Sequence, residues 1–193
     1  MWRGGGAGCD VGGWGVQYVT GDGSLFNRQG GRVYMRPLSN TGMPVIDNLA
    51  VGVTVGVDFT APRKLIEAAD GQAKVDSDGN LKVREDPLVV YGIDLELPLF
   101  TGLLWDVTPY ADYNHIVGHG TGGHFGMITR VALPFAVETD LIARAEFRVF
   151  QAKYMPVYFD TFYEIERFRF PDLADPSTKR DAIDEQSAAK GWY

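Results

Sequence analysis

Three histidines fall within ten residues: His115, His119 and His124. Neutral imidazoles ligate zinc and copper. With Asp112 and Asn114 close by, the stretch is the chain's one candidate metal site. It is a weak one, because on an extended segment His115 and His124 point to opposite faces. No metal and no cofactor are expected. The serines (Ser24, Ser39, Ser77, Ser177 and Ser187) all fall between or beyond the patterned segments. None sits in a Gly-x-Ser-x-Gly elbow, so acyl-transfer or lipid-hydrolysing chemistry has no anchor. The charged residues are more informative. Asp94, Glu96, Asp106 and Asp112 precede Arg130, Arg144, Glu146 and Arg148, and Asp160, Glu164 and Glu166 follow. Paired carboxylates can hydrolyse glycosides. Here they alternate with arginines on neighbouring segments, which reads as a cross-strand charge network, each ion paired because unpaired burial is costly. Arg144 and Arg148 are expected to face Asp160, Glu164 or Glu166. Residues 76–80 (Asp-Ser-Asp-Gly-Asn) partly match a calcium loop, but Pro87 stands where the closing glutamate belongs, so a turn is expected.

These side chains are carried on segments of period two. Leu49, Val51, Val53, Val55, Val57 and Phe59 alternate with small or polar residues. Successive side chains of a strand point to opposite faces, so the stretch reads as a two-faced strand. The same alternation recurs at 89–97 (with Ile93 and Leu95), 105–113, 125–135 (with Val131 and Leu133), 141–149 and 157–165, and more weakly at 14–18 and 33–35. About eight antiparallel strands are expected, in an up-and-down meander. Pro109 sits inside one of them and marks a bulge or an edge. Residues 1–170 form the expected β domain. Residues 171–193 read as a polar, acidic tail or long connection, with a short helix near 181–190.

Composition narrows the classes. Lys+Arg 18 against Asp+Glu 25 gives a net charge of -7, which argues against a nucleic-acid partner. The single cysteine, Cys9, excludes an intrachain disulfide framework. No run of 18 apolar residues predicts a membrane helix. No apolar stretch follows Arg3, so a secretory leader is not expected within this sequence.

Alternation does not say which face is wet. A soluble barrel or sandwich turns its apolar face inward, whereas an outer-membrane barrel turns it to lipid. Three features favour the membrane. The better strands reach the roughly 9–11 residues that a tilted spanning strand needs. The polar face is rich in glycine, which a solvated face does not need and a crowded lumen does. Aromatics gather near strand ends: Tyr18, Phe59, Tyr91, Tyr113 and Phe125 toward one rim, Trp14, Trp105 and Phe135 toward the other. Over about residues 12–170 the chain resembles the small bacterial outer-membrane β-barrels of the OmpA-like and OmpX-like class. That resemblance implies a transmembrane antiparallel barrel in the outer membrane of a Gram-negative cell, structural or narrowly porin-like and without enzymatic activity, with the lipid bilayer as its partner. Val51, Val53, Val55, Val57, Ile93, Leu95, Val131 and Leu133 would face lipid, and the charged set would line the lumen. The alternatives are a soluble β-barrel binding a small apolar ligand, a barrel lipid-modifying enzyme, and a part of a larger barrel.

Overall fold

The structure, a computed structural model, describes residues 5–21, 26–43, 45–67, 73–133, 139–160, 162–172 and 175–193. It is mostly antiparallel β. The strands are β1 (Gly5–Val11), β2 (Trp14–Thr20), β3 (Arg28–Met35), β4 (Ala50–Asp58), β5 (Pro62–Leu65), β6 (Val83–Glu85) and β7 (Leu88–Glu96). They continue with β8 (Phe100–Thr101), β9 (Trp105–Ile116), β10 (Thr121–Ala132), β11 (Asp140–Phe150), β12 (Phe168–Asp172), β13 (Asp175–Thr178) and β14 (Ala189–Trp192). Among the described residues there are also two short α-helices, α1 (Tyr163–Glu166) and α2 (Lys179–Asp184), and one 3-10 turn at Ile46–Asn48.

One ten-stranded sheet dominates, in the order β1-β2-β3-β4-β7-β9-β10-β11-β14, with β8 beside β9. Seven of its strands are those the alternation marks. Among the described residues the eighth expected strand is absent: 156–159 form a turn and bend and 163–166 form α1, because Tyr158, Phe159 and Tyr163 pack as ring neighbours rather than alternate across a pleat. Two strands without apolar alternation join instead. β1, the glycine-rich segment, pairs with β2 through all seven of its residues. β14 pairs with only Phe147–Phe150 of β11. Among the described residues β1 and β14 do not pair, so the sheet is open where a closed eight-stranded barrel is expected. The expected division at residue 170 also has no counterpart in the packing. β14 belongs to the sheet, and Ile183 of α2 is fully buried with Leu88 and Ile116.

Pro109 lies inside β9 rather than at an edge. Its carbonyl accepts from the Leu97 N–H at the point where β7 has ended and β8 has not begun. The missing proline N–H therefore falls in a gap of the ladder. Residues 76–80 form the expected turn, in which the Asp76 carboxylate accepts from the backbone N–H of Asp78 and Asn80 and Gly79 adopts φ +83°.

The two faces of the sheet differ in kind. On one, nothing in the described chain covers the apolar residues: Val53 is 46% exposed, Leu95 44% and Phe125 53%. The other carries the charges and lines a single cavity of about 810 Å³, to which β2, β3, β4, β7, β9, β10 and β11 all contribute. The polar face is thus the concave one. At one end of it, the described residues between 151 and 188 fold back over the sheet. Tyr154, Tyr158, Tyr163 and Ile183 meet Ala61, Leu88 and Ile116 there, with Phe150, Met155 and Phe159 packed alongside. No described helix is long and apolar enough to cross a membrane.

Candidate functional site

The concave face is built by register. Following hydrogen-bonded neighbours from strand to strand, one inward row runs Gly15, Tyr34, Gly52, Asp94, Asp112, His124 and Arg148. The next inward row toward the other rim holds Glu96, Tyr110, Gly126 and Glu146. Large side chains lie beside glycines in both. A methyl group built on Gly15 would fall inside the Tyr34 ring, and one on Gly52 would collide with the Asp94 carboxylate and the Arg32 guanidinium. The glycines here clear space for the long polar side chains of adjoining strands, which a face open to water does not require.

The charges pair across this face. Arg32 reaches Asp94 at 2.6 Å. Arg130 lies between Asp106, at 2.7 Å, and Asp140, at 3.3 Å. Glu146 is the centre of the face: its side chain is 0% exposed, and it accepts from Arg144, Arg148 and the Tyr110 hydroxyl. Arg144 also donates to the Tyr110 oxygen at 2.6 Å. Tyr34 donates to Asp10 at 2.5 Å. Asp112 accepts from Asn114 at 2.7 Å and stands 3.2 Å from His124. Glu96 lies on the same face and is exposed.

The other acidic residues of the expected network lie elsewhere. Asp160, Glu164 and Glu166 belong to the segment folded over the end of the sheet, so Arg144 and Arg148 find Glu146 on their own strand instead. A strand's i and i+2 positions share a face, and this brings all three together. Asp160 and Glu166 hold the buried Lys179, Glu166 at 2.6 Å and Asp160 at 3.4 Å, and Glu164 pairs with Arg28. The Lys179 ammonium also lies 5.5 Å from both the Tyr158 and Tyr163 ring centroids.

This end segment is clamped to the sheet by a second buried carboxylate. Asp58, 0% exposed at the end of β4, accepts from the Tyr163 hydroxyl at 2.8 Å and from the Thr60 N–H at 2.9 Å. Arg167 stands 3.5 Å from it and donates to the Thr60 carbonyl. Burial pushes the Tyr158 phenol up to about 12 and raises that of Tyr163 further. Tyr154 rises to about 12 for the same reason, its ring lying where a Cβ on Gly122 would sit. Val157, a β-branched residue at φ +55°, carries backbone strain at the lip of the cavity.

The three histidines separate. His115 lies on the apolar face, its ring 5.2 Å from that of Tyr91. His124 points into the cavity beside Asp112. His119, in the turn between β9 and β10, packs near α2, 3.7 Å from Asp184. Among the described residues no three metal-ligating side chains converge. Of the residues expected to face lipid, Val53, Val55, Ile93, Leu95 and Val131 are exposed and Val51, Val57 and Leu133 partly so. Sequence reasoning misses Tyr34, Tyr110 and the Asp58–Tyr163–Arg167 clamp. The first two are legible afterwards as tyrosines on the polar parity with a glycine on the neighbouring strand. The clamp joins residues more than a hundred positions apart and leaves no local signal. Comparison with protein-family models, with curated proteins and with solved structures returns no match.

Proposed function

We propose that the chain is an integral outer-membrane β-barrel protein, structural or narrowly porin-like, whose uncovered apolar face meets lipid and whose concave face is a charged lumen. One observation carries this reading. The sheet exposes a continuous apolar surface on one side and turns its ion pairs, and its own folded-back segment, to the other. A soluble barrel or sandwich needs the opposite arrangement, since burial of that surface drives its folding. In a bilayer the hydrocarbon covers it. Strands of nine to twelve residues, β4, β7, β9, β10 and β11, have the length a tilted span of the membrane needs. An open sheet edge is not tolerated in hydrocarbon, so the reading includes closure of the sheet.

Extraction tests it. The chain should need detergent to leave the membrane, fold into lipid vesicles, and run differently on a gel before and after heating. A stable monomer in plain buffer would overturn the reading.

A further inference from the structure

We infer that the sheet closes along a seam between β1 and the free half of β11, making an eight-stranded wall with β14 outside its cycle. The inference rests on the membrane reading above and adds the closing partner, which neither the topology nor the sequence pattern states.

Strand direction carries the first step. β1 runs from the rim bearing the end segment toward the rim of the 12–13 turn, because Gly5 pairs with Thr20 and Val11 with Trp14. Each later strand on the path reverses in turn, so β11 runs opposite to β1 and β14 runs with it. Closing the sheet on β14 would set two parallel strands side by side in a wall that is otherwise antiparallel. Closing it on β11 keeps every pair antiparallel and gives the even strand number of single-chain bacterial barrels.

The second step is the free edge. β14 occupies only 147–150 of β11, and Tyr193 extends that pairing to Glu146 through two backbone hydrogen bonds. Residues 140–145 have no partner on that side among the described residues. A barrel closes only with a stagger between its first and last strands. Without stagger Val11 would meet Phe147, since one hydrogen-bonded row links Val11, Trp14, Met35, Val51, Leu95, Ala111, Phe125 and Phe147. A stagger of about eight residues, the shear of the parallel eight-stranded (β/α) barrel, sets β1 against 139–145. β1 and β14 then divide the edge of β11 without overlap.

The side chains agree with that register. Ala7 and Cys9 share the outward parity of Val16 and Tyr18 and meet Ala143 and Leu141 on the apolar face. Gly6 and Gly8 fall inward beside Arg144 and Ile142, so the smallest residues lie next to the largest, as they do elsewhere on the concave face. Ile142, 66% exposed on the polar side of the open sheet, gains a neighbour.

Cys9 is the chain's single cysteine and supplies the probe. In this register it lies opposite Leu141, and directly opposed residues are ~4.5–5.5 Å apart, within disulfide reach. The L141C variant, folded into phosphatidylcholine vesicles and oxidised with copper–phenanthroline, should form an intrachain disulfide at least about tenfold faster than V149C, whose edge β14 occupies. A143C, diagonal to Cys9, should react more slowly than L141C and faster than V149C. If both L141C and A143C fold in vesicles and neither crosslinks, the seam is wrong while the membrane reading stands. Crosslinking that yields only covalent dimers overturns closure within one chain. If the chain never enters vesicles and is stable in buffer, the membrane reading fails and the seam with it.

Discussion

Glu146 shows how one residue organises the concave face. Its carboxylate is fully buried, yet it holds two guanidinium groups and a phenol, all of which would otherwise lose a charged partner at once. Replacing it with glutamine keeps the shape and removes the charge. Hydrogen bonds to charged groups are worth ~1.5–3 kcal/mol. Arg144 is about half exposed, so water offsets part of that loss. Glu146→Gln should therefore destabilise the fold by ~1–2 kcal/mol in urea titrations in detergent micelles. Glu96→Gln, on the same face and exposed, should stay within ~0.5 kcal/mol. Equal effects of the two substitutions would show that burial of Glu146 does not organise the network. On the apolar face Leu95→Arg should cost ~2–4 kcal/mol when folding into vesicles is measured, the penalty of a charge near the bilayer midplane. Unchanged folding would count against lipid contact.

At the scale of elements, the end segment 151–188 answers to pH from both sides. His119 lies with its side chain 8% exposed. Desolvation, then the nearby Arg180, lowers its pKa below the ordinary value of 6.5. Below 6.5 the unfolded chain binds a proton that the folded one resists, so stability falls as pH drops from 6.5 toward the folded value. The tyrosines act at the other extreme. Tyr154, Tyr158 and Tyr163 are raised above the ordinary value of 10.0, chiefly by burial. Their contribution is complete below 10 and declines as pH rises from 10 through about 12. Protection of the backbone amides of residues 151–160, taken relative to their intrinsic exchange rates at each pH, should thus be greatest near neutral pH and fall on both sides, and His119→Asn should flatten the acid limb alone. The segment also marks where sequence reading stops. Alternation identifies β2, β3, β4, β7, β9, β10 and β11, because strands with one apolar face must alternate. It misses β1, whose glycines and alanine carry no pattern. It mistakes 157–165 for a strand, because Val157, Phe159, Tyr163 and Ile165 share one parity in sequence, whereas in the fold Val157 and Ile165 are exposed and Tyr158, of the other parity, is buried with Tyr163. It reads 171–193 as a tail with a short helix near 181–190; α2 begins two residues earlier, where its capping box sets the start: the Thr178 hydroxyl accepts the Asp181 N–H, and the Asp181 carboxylate accepts the Thr178 N–H. The carboxylates and arginines of the concave face are legible as a set. Their pairing is not, since Glu146 takes both Arg144 and Arg148 and leaves Asp160, Glu164 and Glu166 to the end segment.

For the whole molecule, the question is whether the lumen passes ions. Closed as inferred above, the eight strands would enclose an interior that side chains nearly fill, with Glu146, its arginines and Tyr110 across its middle. The end segment, held through Asp58 by Tyr163 and Arg167, would close one mouth of that barrel. Two obstructions in series predict a nearly non-conducting protein in planar bilayers. Their chemistry differs, so they can be separated. Tyr163→Phe combined with Arg167→Ala removes the clamp and leaves the Glu146 centre intact. The double variant should open briefly and more often than the unmodified chain, with small conductance still limited by the centre. Among the charged residues that line the cavity, Asp94, Glu96 and Asp112 outnumber Arg32 and Arg144, so the current should favour cations. Large, steady openings from the unmodified chain would mean that these charges line a wider, water-filled channel, and the eight-stranded closure would have to give way to a larger pore.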